Sequence, residues 1–288
     1  MRLDLNRTNT LARRRRCLIG VIKYAVLTAV ALIWVYPFVW MVSASLKTNN
    51  EIFADKLSLI PQAVQWDNYV RAWKNANFSQ YFVNTIHITF FTVVIVLIVT
   101  MMMGYALGRF RFPGKRAVMG VIAASMFIPM GFNLIPVFRL IKNMGLMNSR
   151  WGVILAQAGS LNVVFVMMFA SSFAQIPREL HEAALIDGCG FLRIFLQIMV
   201  PLSKPIIGSV VIMQTIWSWS EFLLPLVLTL NSASLRTLAV GLYSLKGEIM
   251  LDWTGLAAGA AIALLPIIVV FVFLQKYFVD GISGAVKG

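Results

Sequence analysis

Apolar and polar residues follow one another along the chain in long blocks, without the short alternation of soluble strands. Six blocks stay apolar for about 20 residues, the length that an α-helix needs to cross the hydrocarbon core of a bilayer. Helices are expected because a segment in lipid must pair its own backbone polar groups. The sequence therefore predicts an all-α polytopic membrane protein with six transmembrane helices, at residues 20–45, 83–107, 117–140, 151–174, 205–230 and 256–276.

Small and helix-breaking residues predict the shape of several spans. In the second span, Gly104 and Gly108 form a GxxxG pattern, which lets two helices pack closely. In the third span, Pro129 and Pro136 predict a break whose freed carbonyl groups face protein or a wet cavity. The fourth span is predicted to be smoother, and its Gln157 either bonds a neighbouring helix or lines a path.

A polar interruption from Ile176 to Pro205 predicts two short helices joined by a glycine turn. Pro177 suits a first helical position, where its missing N–H is no loss. Gly188 supplies the flexible corner. A second apolar helix is predicted to begin at about Phe191 and to stop at Pro201, because proline interrupts an α-helix.

Composition excludes a water-soluble surface, and the distribution of basic residues predicts the topology. The chain is 59% hydrophobic and 12% charged, against roughly 25% charged residues in soluble domains. The net charge of +14 comes mostly from lysines and arginines on the side of the N-terminus, which indicates orientation and not nucleic-acid binding. Both termini are therefore predicted to be cytoplasmic. The predicted organisation is a cytoplasmic basic tail (1–19), a six-helix transmembrane domain (20–276) with a cytoplasmic loop (176–204), and a second cytoplasmic tail (277–288) too polar and glycine-rich for a helix in lipid.

Candidate chemistry is sparse. The chain has two histidines and two cysteines, with no metal-ligand spacing, and Cys17 and Cys189 both fall on the predicted cytoplasmic side, where no structural disulfide is expected. No GxxxxGK[ST] phosphate-binding loop is present, so any ATP hydrolysis belongs to a partner. We therefore predict no catalytic residue, no metal site and no cofactor.

Polar residues in the fifth span recur at i, i+4, i+7 and i+11, the spacing of one side of a continuous helix. These residues are Gln214, Ser218, Glu221 and Pro225. A carboxylate at membrane depth costs roughly 2.5 kcal/mol or more, so Glu221 is expected to face the bundle interior or water. Two interpretations stay open: this face lines a substrate path, or Glu221 bonds a neighbouring helix. The candidate path residues are Gln214, Trp217, Ser218, Glu221 and, in the third span, Asn133.

The polar loop resembles the cytoplasmic loop of ABC importer permeases, in which Glu-Ala-Ala is followed by Asp-Gly and then by Ile-x-x-Pro. The matching residues here are Glu182, Ala183, Ala184, Asp187, Gly188, Ile198 and Pro201. Cys189 stands where the family usually has a small alanine. The run WSWSEFLLPLVLT, from Trp217 to Thr229, and the ending GAVKG are similar to the shorter permease of maltose-type carbohydrate importers.

This resemblance implies a type I ABC importer permease in a bacterial inner membrane. Its partners would be a second permease subunit, a cytoplasmic ATP-binding subunit dimer and an extracytoplasmic solute-binding protein. The seven loop residues would couple the chain to the ATPase. The alternatives are an ABC permease for a non-sugar solute, an ion-coupled secondary transporter, which would need more intramembrane charges, and a membrane enzyme, which would need a nucleophile with its base.

Overall fold

The computed structural model describes the backbone of residues 2–54, 58–75, 77–160, 162–244 and 252–286, and the side chains of 17–54, 58–74, 77–129, 131–160, 162–243 and 252–277. All regular structure in these ranges is helical. The α-helices are α1 (Arg2–Ser45), α2 (Asn49–Ala54), α3 (Asp67–Asn75), α4 (Phe78–Arg109), α5 (Lys115–Ala124), α6 (Leu134–Asn143), α7 (Arg150–Gly159), α8 (Val163–Gln175), α9 (Arg178–Ile186), α10 (Phe191–Ile194), α11 (Val200–Leu202), α12 (Lys204–Ser220), α13 (Leu223–Leu228), α14 (Leu238–Ser244) and α15 (Trp253–Val286). Short 3₁₀ turns lie at Ser125–Phe127, Met130–Asn133 and Ala233–Leu235, and a π-helical turn at Phe195–Met199.

Helix lengths in the described residues agree with the predicted all-α membrane architecture. Three helices are long and apolar enough to cross a bilayer: Cys17–Ser45 of α1, α4, and Trp253–Tyr277 of α15. Three bent pairs of helices raise the number of spans to six when each pair counts as one. The pairs are Lys115–Phe127 with Gly131–Asn143, Arg150–Gly159 with Val163–Gln175, and Phe191–Leu202 with Lys204–Ser220.

The third span is broken where its prolines predicted, and the fourth span is broken where none was expected. Pro129 is extended, with φ −62° and ψ 136°, between two helical segments. The fourth span bends less than the third, by 58° against 97°, which agrees with the prediction of a smoother span, but α7 and α8 are still two separate helices. Ser160 and Asn162 both leave the helical conformation there, with ψ 87°. Short polar side chains that compete for backbone hydrogen bonds favour such interruptions.

Helices α4 and α8 pack closely through the predicted GxxxG pattern. A Cβ atom added at Gly104 would lie 2.3 Å from the Phe169 Cβ atom, and one at Gly108 would lie 2.5 Å from the Ala170 carbonyl oxygen. Only a residue without a side chain fits at these distances, as expected for small residues at membrane helix interfaces. Phe165, Phe169 and Phe173 of α8 are fully buried in the cluster that this contact encloses.

The chain forms two compact units, one of residues 1–72 with 248–261 and the other of residues 73–247 with 262–288. In the first unit, the buried amide of Asn68 donates to the carbonyl oxygens of Ser45 and Lys47, both at 2.8 Å. These bonds fasten α3 to the end of α1. The second unit contains α4 to α14 and the polar loop.

The C-terminal tail predicted at 277–288 is helical as far as Val286, as a continuation of α15. Pro266 lies inside this helix without ending it. Lys287 and Gly288 lie outside the described residues.

Candidate functional site

The turn in the polar loop is set by Gly188. α9 begins after Pro177, which is extended at φ −51° and ψ 138° and therefore caps the helix one position earlier than predicted. At the other end, the Gly188 N–H donates to the Leu185 carbonyl oxygen at 3.0 Å, and the Cys189 N–H donates to that of Ala184 at 2.9 Å. This pair of bonds requires a left-handed residue at Gly188, whose φ is +77°. The predicted glycine corner is confirmed.

The second helical segment of the loop ends at Leu202, one residue after the stop predicted at Pro201. Helical residues run from Phe191 through the π turn at Phe195–Met199 to Leu202. A π turn forms wider hydrogen-bonded rings, which accommodate a proline that a regular α-helix would not. The chain leaves the helix at Ser203 and bends by 80° before α12.

Tyr105, near the end of α4, contacts both halves of the loop. Its side chain is fully buried, and its ring centroid lies 6.4 Å from His181 of α9, 5.0 Å from Phe191 and 5.2 Å from Phe195. The loop therefore rests on an aromatic base that α4 supplies. The sequence did not single out Tyr105, because tyrosine is common at membrane boundaries and its partners are distant in the chain.

Burial lowers the pKa of His181, and the positive charge of Arg109 lowers it further. The neighbouring Glu182 carboxylate acts in the opposite direction. The neutral imidazole is therefore favoured in the folded loop, as expected for a histidine inside an apolar contact.

The seven predicted loop residues divide into an exposed group and an inward group. Glu182, Ala183, Asp187, Gly188 and Pro201 are exposed. Ala184 is only 6% exposed and packs into the core, and Ile198 is half-buried. The two neighbouring alanines therefore differ, since Ala183 is exposed and Ala184 is buried.

Two apolar side chains of α9 add to the exposed part of the loop. Leu185 is 53% exposed and Ile186 is 87% exposed. Exposed apolar groups beside charged ones, on a segment with a rigid base, suit the docking of a protein partner.

Glu221 does not share a helical face with the residues before it. α12 ends at Ser220, and Glu221 is extended, with φ −64° and ψ 124°. One of its carboxylate oxygens accepts hydrogen bonds from the backbone N–H groups of Leu223 and Leu224, at 3.0 and 3.2 Å. The prediction of one continuous polar face from Gln214 to Pro225 is therefore wrong. Glu221 caps the first turn of α13, where a carboxylate also meets the positive end of the helix.

Ser218 bonds a neighbouring helix inside the chain. Its hydroxyl donates to the Gln157 side-chain oxygen at 2.6 Å, and the Thr92 hydroxyl donates to the same oxygen at 3.5 Å. All three side chains are buried, and they join α4, α7 and α12. Of the two interpretations of Gln157, the structure supports the interhelical hydrogen bond.

The remaining candidate path residues differ in exposure. Gln214 is buried, at 6%. Trp217 is 42% exposed, and its ring stacks on Phe165 with centroids 5.4 Å apart. Asn133 is exposed and Glu221 is half-buried. The structure therefore leaves Trp217, Glu221 and Asn133 accessible and places Gln214 and Ser218 in the interior.

In the part of the chain that the structure describes, no three His, Cys, Asp or Glu side chains converge as metal ligands. Cys17 is an exposed free thiol, and Cys189 is a half-buried one.

A sequence model of the family described as "Binding-protein-dependent transport system inner membrane component" matches residues 100–284, which include the whole polar loop and α12 to α14. The chain belongs to this family.

Relatives of this permease agree with the assignment over nearly their full length. The probable ABC transporter permease protein YurM of Bacillus subtilis (strain 168) is 35% identical over 88% of this chain and 84% of its own. The arabinooligosaccharides transport system permease protein AraQ of the same organism is 33% identical over 90% and 92%. Its galactooligosaccharides transport system permease protein GanQ is 33% identical over 95% and 98%.

The fold is also similar to that of a solved importer. A chain in the crystal structure of a bacterial ABC transporter involved in the import of the acidic polysaccharide alginate superposes with a TM-score of 0.78 at 25% identity. The match covers 91% of this chain and 96% of that chain. The permease therefore has the ABC importer membrane fold.

Proposed function

We propose that the permease forms, together with a second permease subunit, the path by which a sugar or oligosaccharide enters a bacterial cell. Support comes from the relatives named for arabinooligosaccharides and galactooligosaccharides, which align with almost the whole chain. A half-exposed tryptophan, Trp217, in the fifth span fits the same ligand class, because a ring face suits the C–H surface of a sugar.

The polar loop, residues 176–204, docks on a cytoplasmic ATP-binding subunit. The observation that carries this proposal is the division of the loop into an exposed edge and a buried base. Glu182, Ala183, Asp187 and Gly188 are exposed, while Ala184 and the ring of Tyr105 hold the loop from within. A rigid, exposed edge suits an element that receives movement from a partner. Both termini then lie in the cytoplasm, as the distribution of basic residues predicts.

The substrate path uses the accessible members of the candidate set, Trp217, Glu221 and Asn133. Gln214 and Ser218 stabilise this region from the interior, Ser218 through its bond to Gln157. An extracytoplasmic solute-binding protein delivers the sugar, and ATP hydrolysis on the partner subunits drives the transport cycle.

The decisive experiment reconstitutes this permease in lipid with its second permease subunit, its ATP-binding subunit and its solute-binding protein. ATPase activity is measured while the binding protein is loaded with each member of a panel of oligosaccharides, amino acids and phosphate. We expect stimulation by an oligosaccharide. Stimulation by an amino acid or phosphate alone would refute the substrate class, and sugar uptake by the permease alone along an ion gradient would refute the mechanism.

The docking role is tested in the same system with Glu182→Gln and Glu182→Lys. We expect charge reversal to lower stimulated ATPase activity by about fivefold or more and the neutral change to have a smaller effect. The amount of assembled complex is measured for each variant. Wild-type stimulation in the Glu182→Lys complex would contradict the proposed docking face.

A further inference from the structure

The junction between α8 and α9 lacks a backbone donor. In a regular helix the Phe173 carbonyl oxygen accepts a hydrogen bond from the N–H four residues later, and that residue is Pro177, which has no N–H. Ile176 is extended, with ψ 130°, so its own carbonyl group leaves the helical ladder. Two carbonyl oxygens at one joint, those of Phe173 and Ile176, therefore need partners from elsewhere, and the carbonyl group of Pro177, the N-cap of α9, follows directly after them.

Arg109, the last residue of α4, supplies these partners. One of its terminal nitrogens donates to the Ile176 carbonyl oxygen at 2.6 Å and to that of Phe173 at 3.4 Å. The other terminal nitrogen donates to the Pro177 carbonyl oxygen at 2.8 Å. A single guanidinium thus spans the joint from the last turn of α8 to the residue before α9. Its positive charge also lies at the negative end of α8, which is a favourable position.

The Arg109 bridge, defined as these three bonds, acts beside the aromatic contacts of Tyr105. The two residues are one turn apart on α4, so they extend from the same side of that helix. Tyr105 contacts the two halves of the loop, and Arg109 holds the backbone joint that leads into it. The joint and the loop are thereby both attached to the end of α4.

We propose that Arg109 is a positioning residue for energy coupling. Its bridge keeps the joint at 176–177 rigid, so that movement of the polar loop displaces α4 instead of bending the joint. The inference rests on the proposed function, since it assumes that residues 176–204 dock on the ATPase. In the absence of the bridge, the extended residues at the joint are held by fewer bonds, and ATP hydrolysis would proceed with less transport.

The test compares Arg109→Gln, Arg109→Lys and Arg111→Gln in the reconstituted importer. Arg111 is an exposed arginine two residues further along, so its substitution removes the same charge from the same region. The measured quantity is sugar transported per ATP hydrolysed, at matched amounts of assembled complex. We expect Arg109→Gln to lower this ratio by about tenfold, because a lost charge-assisted hydrogen bond changes an equilibrium by about that factor. Arg111→Gln should leave it within about twofold.

Arg109→Lys separates geometry from charge. The ammonium keeps the charge but is a compact donor that does not reproduce the planar fork of the guanidinium. We expect a ratio about threefold below wild type, intermediate between the other two. This variant also decides the question if Arg109→Gln assembles poorly. A wild-type ratio in an assembled Arg109→Lys complex, or an equal fall in Arg111→Gln, would overturn the inference.

A second substitution tests the reason for the bridge. Pro177→Ala restores an N–H at the position from which a helix would serve the Phe173 carbonyl oxygen. The new N–H and the Arg109 guanidinium then share the Phe173 carbonyl oxygen as acceptor. We therefore expect Arg109→Gln to lower the ratio of sugar transported to ATP hydrolysed by a smaller factor in the Pro177→Ala background. An undiminished effect would contradict the role of the joint. If the wild-type complex itself shows no ATPase stimulation by loaded binding protein, the proposed function fails, and not the Arg109 bridge.

Discussion

Replacing Gly104 by alanine should separate α4 from α8, because the added methyl group has no space. Its Cβ atom would lie 2.3 Å from the Phe169 Cβ atom and 3.0 Å from the Ala170 backbone nitrogen. Ordinary carbon contacts lie at about 3.5–4.0 Å, so the helices would have to move apart by more than about 1 Å. The obstructing atoms belong to the backbone and to the base of a buried side chain, which cannot rotate away.

The magnitude follows from two opposed effects. Alanine is a better helix former than glycine by about 1 kcal/mol, and overpacking a close contact costs about 1–3 kcal/mol. Gly120 in α5 provides the matched control, because a Cβ atom there would meet nothing within 4 Å. Gly120→Ala should therefore be neutral or stabilising. The gain in helix formation is common to both variants, so they should differ in their free energy of unfolding by the overpacking cost alone, about 1–3 kcal/mol.

The assay is unfolding of the purified permease in mixed lipid–detergent micelles by titration with dodecyl sulfate, followed by the fluorescence of its 8 tryptophans. We expect Gly104→Ala to unfold at a lower dodecyl sulfate fraction than wild type, and Gly120→Ala at an equal or higher one. Equal midpoints for the two variants would refute the conclusion that this close approach stabilises the permease. Equal midpoints would mean that the GxxxG pattern does not contribute measurably to the free energy of unfolding.

Three further outcomes follow from the loop and the fifth span. Gly188→Ala should destabilise the polar loop by about 1 kcal/mol, because alanine is strained at a φ of +77°. Gly190→Ala, at a φ of −74°, should not destabilise it, and binding of the ATP-binding subunit is the measurement that compares the two variants. Glu221→Gln should keep the stability of the permease, since an amide oxygen can still cap α13, while Glu221→Ala should lose about 1 kcal/mol in the dodecyl sulfate titration and impair sugar uptake more than assembly. The pKa of His181 is lowered in the folded loop, so the unfolded loop takes up a proton first as the pH falls below about 6.5, and stability decreases. Amide hydrogen exchange of α9 in the complex should therefore be faster at pH 5.5 than at pH 7.5 after correction for intrinsic rates, and this loss of protection should disappear in His181→Phe.

Local backbone rules predicted several elements correctly. The close packing at Gly104, the break at Pro129 and the left-handed turn at Gly188 each depend on one residue type whose backbone behaviour is nearly independent of its surroundings. The hydropathy pattern located the spans for a similar reason, since the bilayer imposes a minimum length on each helix. These features were therefore accessible before the fold was known.

Tertiary contacts explain what the sequence did not predict. Pro201 is tolerated because a π turn precedes it, and that change of register has no distinct residue pattern. The predicted polar face through Glu221 required a continuous helix. The Glu221 carboxylate instead caps α13 by accepting the N–H groups of Leu223 and Leu224, two and three residues later. In the sequence, Arg109 is only one of the basic residues that predict the orientation in the membrane, because the carbonyl groups that it bonds lie 64 to 68 residues away. The aromatic contacts of Tyr105 depend on the fold in the same way.

The opposite end of α4 is attached to a second loop. There the Asn84 amide donates to the carbonyl oxygens of Ser234 and Arg236, at 2.8 and 2.9 Å. The Thr85 hydroxyl oxygen accepts the N–H of Leu238 at 2.8 Å. The residues before and at the start of α14 are thereby bonded to the first turns of α4.

These attachments make α4 the continuous element between the two loops. It has 32 residues, which corresponds to a length of about 48 Å, and its backbone ladder runs from Phe78 to Arg109 without a break. The chain segments around α5–α6, α7–α8 and α12–α13 are all interrupted, and helices bend where their hydrogen-bond ladder is broken. In the proposed coupling, we therefore expect a displacement that enters at Tyr105 and Arg109 to reach residues 234–238 with little lost to bending of α4. We expect the interrupted segments to be the places where the chain bends.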